Sequence, residues 1–170
     1  MTITKSLVEK IQITNAAQNI YSISAFFEDF GKNQGKVTIE CDGDAWSYFW
    51  SAIARSSIKE FFLEAGTDYL VGKFHRGIRS TITDDSQESL QQAAKQFILA
   101  ARKNGEISKK EALFKWMDVS NIDDRGVDVN ADELYKIFGD EWYYQLPQKP
   151  NPEYNHLFKI IESIKAAIQI

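Results

Sequence analysis

A short run of alternating residues constrains the fold of this chain more than any other feature. Every second residue of Lys36–Cys41 is apolar and the residues between are polar. Such a period of two is typical of a β-strand with one buried face. Asp42-Gly43 follows directly, and Asp-Gly between two strand-like runs predicts a two-residue hairpin. The segment therefore predicts an antiparallel sheet near the N-terminus. The residues predicted to face inward are Val37, Ile39 and Cys41.

Three further segments predict the neighbouring strands. Leu7–Ile13 places Leu7, Glu9, Ile11 and Ile13 on one face, and Ile23–Phe27 has an apolar side chain at every second position. The third segment, Ala45–Ala52, follows the hairpin and would place three aromatic rings on one face; these are Trp46, Tyr48 and Trp50. The same run also fits a helix, with apolar residues at i, i+3, i+4 and i+7. The Asp-Gly turn and the aromatic enrichment favour the strand.

From residue 57 onward the apolar spacing is that of helices. Several helix starts are predicted from capping residues; they are Ser57 with Glu60, Asp85 with Glu88, Ser108 with Glu111, Asn130 with Glu133, and Asn151 before Pro152. A long apolar stripe predicts that the last helix docks on the core. The predicted fold class is therefore α+β, with an N-terminal antiparallel β-meander of about four strands packed against a C-terminal set of helices. We predict a single α+β domain over residues 1–170, strand-rich over 1–56 and helix-rich over 57–170.

Composition limits the classes of function. The chain has 170 residues, 44% of them hydrophobic and 13% aromatic, which is enough to build a core. The net charge is −4 and no basic block stands out, so the basic stripe of a duplex-binding protein is not evident. The single cysteine excludes an internal disulfide and suits a reducing cytosol. No signal peptide and no membrane-spanning run are expected, which predicts a cytoplasmic protein.

Catalytic and metal chemistry find little support in the residues. The two histidines, His75 and His156, have no second ligand at helical spacing, so no zinc site is predicted. The loop 121–132 resembles a calcium loop, but Arg125 stands where an oxygen ligand is needed. Cys41 lies in the inward register of a strand, which favours packing over nucleophilic chemistry. We predict a non-catalytic protein without cofactor; His75 with nearby carboxylates is the basis of an enzyme hypothesis.

Two aromatic groups are candidates for binding. The first lies between Gly139 and a proline-rich segment, where exposed aromatics would act as protein-binding anchors; it comprises Asp140, Glu141, Trp142, Tyr143 and Tyr144. Core packing of Trp142 is the alternative. The second would bind single-stranded nucleic acid by stacking beside a small basic cluster; it comprises Trp46, Tyr48, Trp50, Arg76 and Arg79. Acidic neighbours and the expected packing of a sheet make this the alternative hypothesis.

Two stretches of the chain resemble proteins of one kind. Phe27–Trp50, followed by Glu60-Phe-Phe62 and Tyr69-Leu70, is similar to small accessory proteins of temperate lambda-like phages and prophages, and so is Ile137–Tyr154. The resemblance covers both ends of the chain and implies no catalytic residues. It implies a context, because small phage accessory proteins often bind a host enzyme, including host defence machinery. The expected partner is a host or phage protein in the bacterial cytoplasm, with nucleic acid less favoured and no membrane. The oligomeric state is open.

Overall fold

The described residues form a four-stranded antiparallel sheet, a two-stranded antiparallel sheet and six α-helices. A computed structural model describes residue 3 and residues 8–17, 19–31 and 33–170. Four strands form the sheet: β1 (Glu9–Ala17), β2 (Ile20–Asp29), β3 (Gly35–Cys41) and β4 (Asp44–Trp50). The later elements are α1 (Ile58–Glu64), α2 (Thr67–Phe74), β5 (Thr81–Thr83), α3 (Gln87–Lys103), α4 (Lys109–Val119), α5 (Ala131–Phe138), β6 (Gln148–Pro150) and α6 (Pro152–Ile168). A short 3₁₀ helix spans Trp142–Gln145. The α+β prediction is confirmed.

The sheet is a meander in which each strand pairs with the next, in the order β1-β2-β3-β4. The predicted hairpin is confirmed, since Cys41 pairs with Asp44 across the two-residue loop. Asp42 and Gly43 take φ values of 49° and 104°, as a type I′ turn requires. The predicted inward residues of β3 are buried. The segment that also fitted a helix forms β4, and Leu7 of the predicted first strand lies outside the described residues.

The chain divides into two compact units. The first comprises Met1–Ser80 with Asn151–Ile170, and the second is the inserted segment Thr81–Pro150. Where the second unit begins and ends, β5 and β6 pair antiparallel. The single domain predicted over residues 1–170 stays a prediction, because nothing observed tests whether the two units fold separately. We call them the sheet unit and the inserted unit.

The sheet unit has its core between one face of the sheet and three helices. The buried residues from the strands include Ile23, Val37 and Ile39, and α1, α2 and α6 cover them. The C-terminal helix is docked as predicted, with Leu157, Ile160, Ile161 and Ile164 buried. Asn151 caps this helix by accepting from the backbone N–H groups of Glu153 and Tyr154. Within the described residues, no helix is long and apolar enough to cross a membrane.

The inserted unit has a separate core. Its buried residues come from three helices and the loop before α5; they are Leu90, Ala94, Ile98, Val119, Ile122, Leu134 and Ile137. The capping box of α4 is present, with Ser108 and Glu111 bonded reciprocally. A loop of five residues joins α3 to α4, so that these helices form a helical hairpin.

At three predicted helix starts, the N-cap residue or its hydrogen bonds differ from the prediction. The N-cap of α3 is Ser86 and not Asp85; Asp84 accepts from the Ser86 backbone N–H and the Ser89 hydroxyl. These bonds hold the pKa of Asp84 at about 2. Glu60 accepts from Ser56 and so does not complete a capping box with Ser57, although Ser57 does accept from the Glu60 backbone. Asn130 is at the N-cap position of α5 as predicted, but its side chain makes no capping hydrogen bond to that helix.

Asn130 instead holds the preceding loop together. Its side chain is buried, accepts from the backbone N–H of Asp123, and donates to the backbone carbonyls of Asp123 and Gly126. The loop 121–132, which resembled a calcium loop in sequence, is therefore held together by the side-chain amide of Asn130. The Asp123 carboxylate accepts from Arg125, and this hydrogen bond lowers the pKa of Asp123.

Candidate functional site

The predicted protein-binding segment lies directly after α5. Gly139 ends that helix with a φ of 87°, a conformation that favours glycine. The backbone N–H of Trp142 then donates to the Gly139 carbonyl, which starts the 3₁₀ helix. In such a tight helix consecutive side chains point in different directions, so one ring can pack inward while the next ones face solvent.

The three aromatic rings of this segment have different environments. Trp142 packs against the core of the inserted unit. Tyr143 and Tyr144 are 51% and 71% exposed, and their ring centroids lie 4.3 Å apart. Tyr143 also meets Trp142 edge to face at 6.2 Å. The packed tryptophan therefore supports two adjacent exposed tyrosines, which is the arrangement of an anchored aromatic patch.

Carboxylates accompany the exposed rings. Asp140 and Glu141 are exposed immediately before the 3₁₀ helix. A hydrogen bond to Asp140 raises the pKa of Tyr135, whose side chain is exposed on α5. We define the aromatic patch as Asp140–Tyr144. It combines two tyrosine faces with two negative charges, and a complementary surface would offer an apolar recess with cations at its edge.

The alternative nucleic-acid site is in the sheet unit, and its rings are engaged with the core. Trp50 is buried, and its indole N–H donates to the Tyr69 hydroxyl at 3.1 Å. Its ring contacts Phe61 and Phe74, with centroids 5.5 and 5.8 Å away. Trp46 and Tyr48 are half-buried against the same core. A stacking platform needs free ring faces, so most of this aromatic surface is already used for packing.

The basic cluster predicted beside these rings lies after α2. Arg76 and Arg79 are exposed in the loop 75–80, and neither is in an ion pair within the part of the chain that the structure describes. Of the residues predicted for this nucleic-acid site, Trp46 lines a pocket together with His75, the first residue of the loop 75–80.

That pocket brings together residues that sequence spacing did not connect. It has a volume of about 250 Å³, and both histidines of the chain line it together with Asp44 and Glu153. His75 directly follows α2, whereas His156 lies near the start of α6, so only the folded chain brings them together. Among the described residues, no group of three or more His, Cys, Asp or Glu side chains is placed to hold a metal ion.

A second feature missed by sequence reasoning lies on the helical hairpin. The apolar residues of α4 occupy five of six positions from 112 to 117, which is more than one helix face can bury. Four of their side chains are exposed, namely Leu113, Phe114, Trp116 and Met117. This excess of apolar residues was the sequence signal that α4 exposes an apolar surface. A groove of about 570 Å³ runs between this helix and α3.

The fold and these surfaces define a small α+β protein with exposed aromatic and apolar patches on its inserted unit. A family model described as a phage family matches residues 1–169. Because the match spans nearly the whole chain, the protein belongs to this phage family. Comparison with curated proteins and with solved structures found no match in either set.

Proposed function

We propose that this phage-family protein is a non-catalytic accessory protein that binds a host or phage protein through the aromatic patch, Asp140–Tyr144. The observation that carries the proposal is the exposure of Tyr143 and Tyr144 on a packed tryptophan. Tyrosine and tryptophan dominate the energetics of protein interfaces because they bury large areas at little conformational cost. The exposed tyrosines would be the anchors, and Trp142 would fix their position.

The context of the proposed partner comes from the family and from the resemblance of the sequence. Family membership places the protein among phage products, and the resemblance to accessory proteins of temperate lambda-like phages suggests the cytoplasm of a bacterial host. We propose that the partner belongs to host defence or replication machinery. The two carboxylates of the patch favour a partner surface with basic residues around an apolar recess.

Affinity capture followed by a quantitative measurement tests this proposal. Tagged protein would recover candidates from a lysate of a lysogen, and the dissociation constant would then be measured with the purified partner. Tyr143→Ala with Tyr144→Ala should weaken binding at least about thirtyfold, as loss of an interface anchor does. Tyr21, which is exposed on the sheet unit, provides the matched control Tyr21→Ala.

The outcome is decided by the difference between these variants. Unchanged affinity in the double variant contradicts the proposal, and so does an equal loss in the Tyr21 variant. Recovery of no specific protein from the lysogen also counts against it. Thermal unfolding of each variant checks that the loss of binding is not a loss of structure.

Single-stranded nucleic-acid binding stays the alternative hypothesis. It would use Arg76 and Arg79 with the exposed parts of Trp46 and Tyr48, and it predicts binding that weakens strongly with salt. Titration of labelled oligonucleotides at low salt separates the two hypotheses, because a flat response removes this one.

A further inference from the structure

The groove of the helical hairpin lies between the end of α3 and the start of α4. Its lining includes the apolar residues Leu99, Leu113 and Trp116, which we call the floor, and the cations Arg102, Lys109 and Lys110, which we call the rim. Leu99 and Leu113 are 60% and 62% exposed. Single exposed apolar residues are ordinary, but exposed leucines that line one concave surface with a tryptophan indicate an interaction site.

The charges at the rim are of one sign. Arg102, Lys109 and Lys110 make no ion pair among the residues that the structure describes. No acidic residue lines the groove. The nearest carboxylate in sequence, Glu111, is engaged in the capping box of α4. The groove therefore presents three uncompensated positive charges around an apolar floor.

Two of these cations stand where they do not help the helix. Lys109 and Lys110 occupy the first turn of α4, the positive end of its dipole. Cations there are unfavourable by a few tenths of a kcal/mol, and acidic residues are the stabilising choice. The Lys110 ammonium lies over the Phe114 ring, 5.9 Å from its centroid, which gives this cation one contact within the helix. Neither lysine has a carboxylate partner among the described residues, and an anionic partner across the groove would supply one.

The length of the groove limits the occupant. The lining residues of α4 extend from Lys109 to Trp116, seven residues further along the helix. This distance is about 10 Å along the helix axis, or two helical turns. An amphipathic helix fits such a surface, with apolar anchors one turn apart lying between the two helices of the hairpin. Carboxylates beside those anchors would meet the three cations of the rim.

We propose that this groove binds an acidic amphipathic helix of a partner protein. The bound part of that helix would be about two turns long, with its apolar face on Leu99, Leu113 and Trp116. The inference rests on the proposed function in that both require a protein partner. It concerns a different surface from the aromatic patch, so each can fail without the other.

A designed peptide provides the probe. It is a labelled amphipathic helix of about 18 residues, long enough to be partly helical alone, with leucines at helical spacing and glutamates beside them. A second peptide has every glutamate replaced by lysine. Fluorescence anisotropy should show at least about tenfold tighter binding of the acidic peptide, with an affinity that falls as salt is added.

Variants of the full chain connect this binding to the groove. Leu113→Ser and the pair Lys109→Glu, Lys110→Glu should each weaken binding of the acidic peptide about tenfold or more. The charge reversal should not unfold α4, because glutamates suit its first turn. Lys159→Glu, on the exposed side of α6, is the control and should leave the affinity unchanged.

Several results would overturn the inference. They are no binding of the acidic peptide, equal binding of both peptides, or equal weakening by Lys159→Glu. Binding to phosphatidylserine vesicles without peptide binding would assign the groove to a membrane. A further such outcome is a molecular mass that rises with protein concentration. If the pair Lys109→Glu, Lys110→Glu abolishes this rise, the groove is assigned to a second copy of this chain. Tyr143→Ala with Tyr144→Ala should keep the peptide affinity, which separates this test from that of the aromatic patch.

Discussion

Replacement of Gly35 by alanine should destabilise the sheet unit, because the site has no room for a methyl group. A Cβ atom there would lie 2.8 Å from Cγ1 of Ile58 and closer still to its Cβ, and 3.1 Å from the Glu28 carbonyl oxygen. Carbon atoms in favourable contact are about 3.5 Å or more apart. The strand and the helix would therefore have to separate by at least about 0.7 Å (3.5 − 2.8).

Neither side of this contact is free to move. Ile58 is fully buried at the start of α1, and its backbone N–H donates to Asp29 Oδ1 at 2.7 Å. Gly35 itself lies between Asp29 on β2 and Trp50 on β4. Movement on either side would loosen the ladder or the helix start. We expect a loss of about 1–3 kcal/mol in the free energy of unfolding, the usual cost of overpacking.

Gly72 provides the matched control. It lies inside α2, has ordinary helical backbone, and a Cβ there would meet nothing within 4 Å. Gly72→Ala should therefore stabilise the protein by about 0.5–1 kcal/mol, since alanine restricts the unfolded chain. Urea unfolding followed by circular dichroism measures both variants. The reasoning is refuted if Gly35→Ala leaves the midpoint unchanged, or if both alanines shift it in the same direction.

Two further predictions concern ionisable groups of the sheet unit. Burial raises the pKa of Cys41, the sole cysteine, from 9.0 to about 11. Because the thiolate is the reactive form, Cys41 should react with a disulfide reagent about 100-fold more slowly in the native protein than in urea. Native and unfolded rates within tenfold of each other would contradict this prediction. Burial and the hydrogen bond to Asp68 raise the pKa of Tyr154 from 10.0 to about 12. The folded state thus favours the neutral phenol, and this stabilisation is complete below about pH 10 and lost as the pH rises through about 12. The stability difference between the parent and Tyr154→Phe should shrink over that interval, and a constant difference would refute it.

The sheet was predictable because its signals are local. The alternation in β3 and the Asp42-Gly43 turn each depend on neighbours in sequence, and together they fix the register of the hairpin. The identity of β4 was harder, since Trp46, Phe49 and Trp50 also fit a helical period. The strand forms because the hairpin places Trp46 opposite Ile39 and Tyr48 opposite Val37, where their rings extend a face that is already apolar.

The sites were less predictable because they depend on tertiary contacts. Asn130 has the same hydrogen-bonding groups whether it caps a helix or closes a loop, and only the position of Asp123 decides between them. The pocket between His75 and His156 joins residues 81 positions apart (156 − 75). The exposure of Tyr143 and Tyr144 depends on which ring of the segment enters the core, and the sequence pattern does not specify that.

Exposed apolar side chains and charges of one sign are the features that support our two proposed binding surfaces. Among the described residues, no buried side-chain polar atom lacks a hydrogen bond. The inserted unit exposes apolar or aromatic side chains at two proposed surfaces, at the tyrosines of the aromatic patch and at Leu113 beside Lys109 and Lys110. Exposed apolar side chains and lysines at a helix start both lower the stability or solubility of the isolated protein. The sheet unit also exposes aromatic side chains, among them Tyr21, Phe30 and Phe49, so exposure alone does not set the inserted unit apart. Our proposals for the inserted unit are supported by the combination of exposed apolar side chains with charges of one sign, acidic in the aromatic patch and basic in the groove.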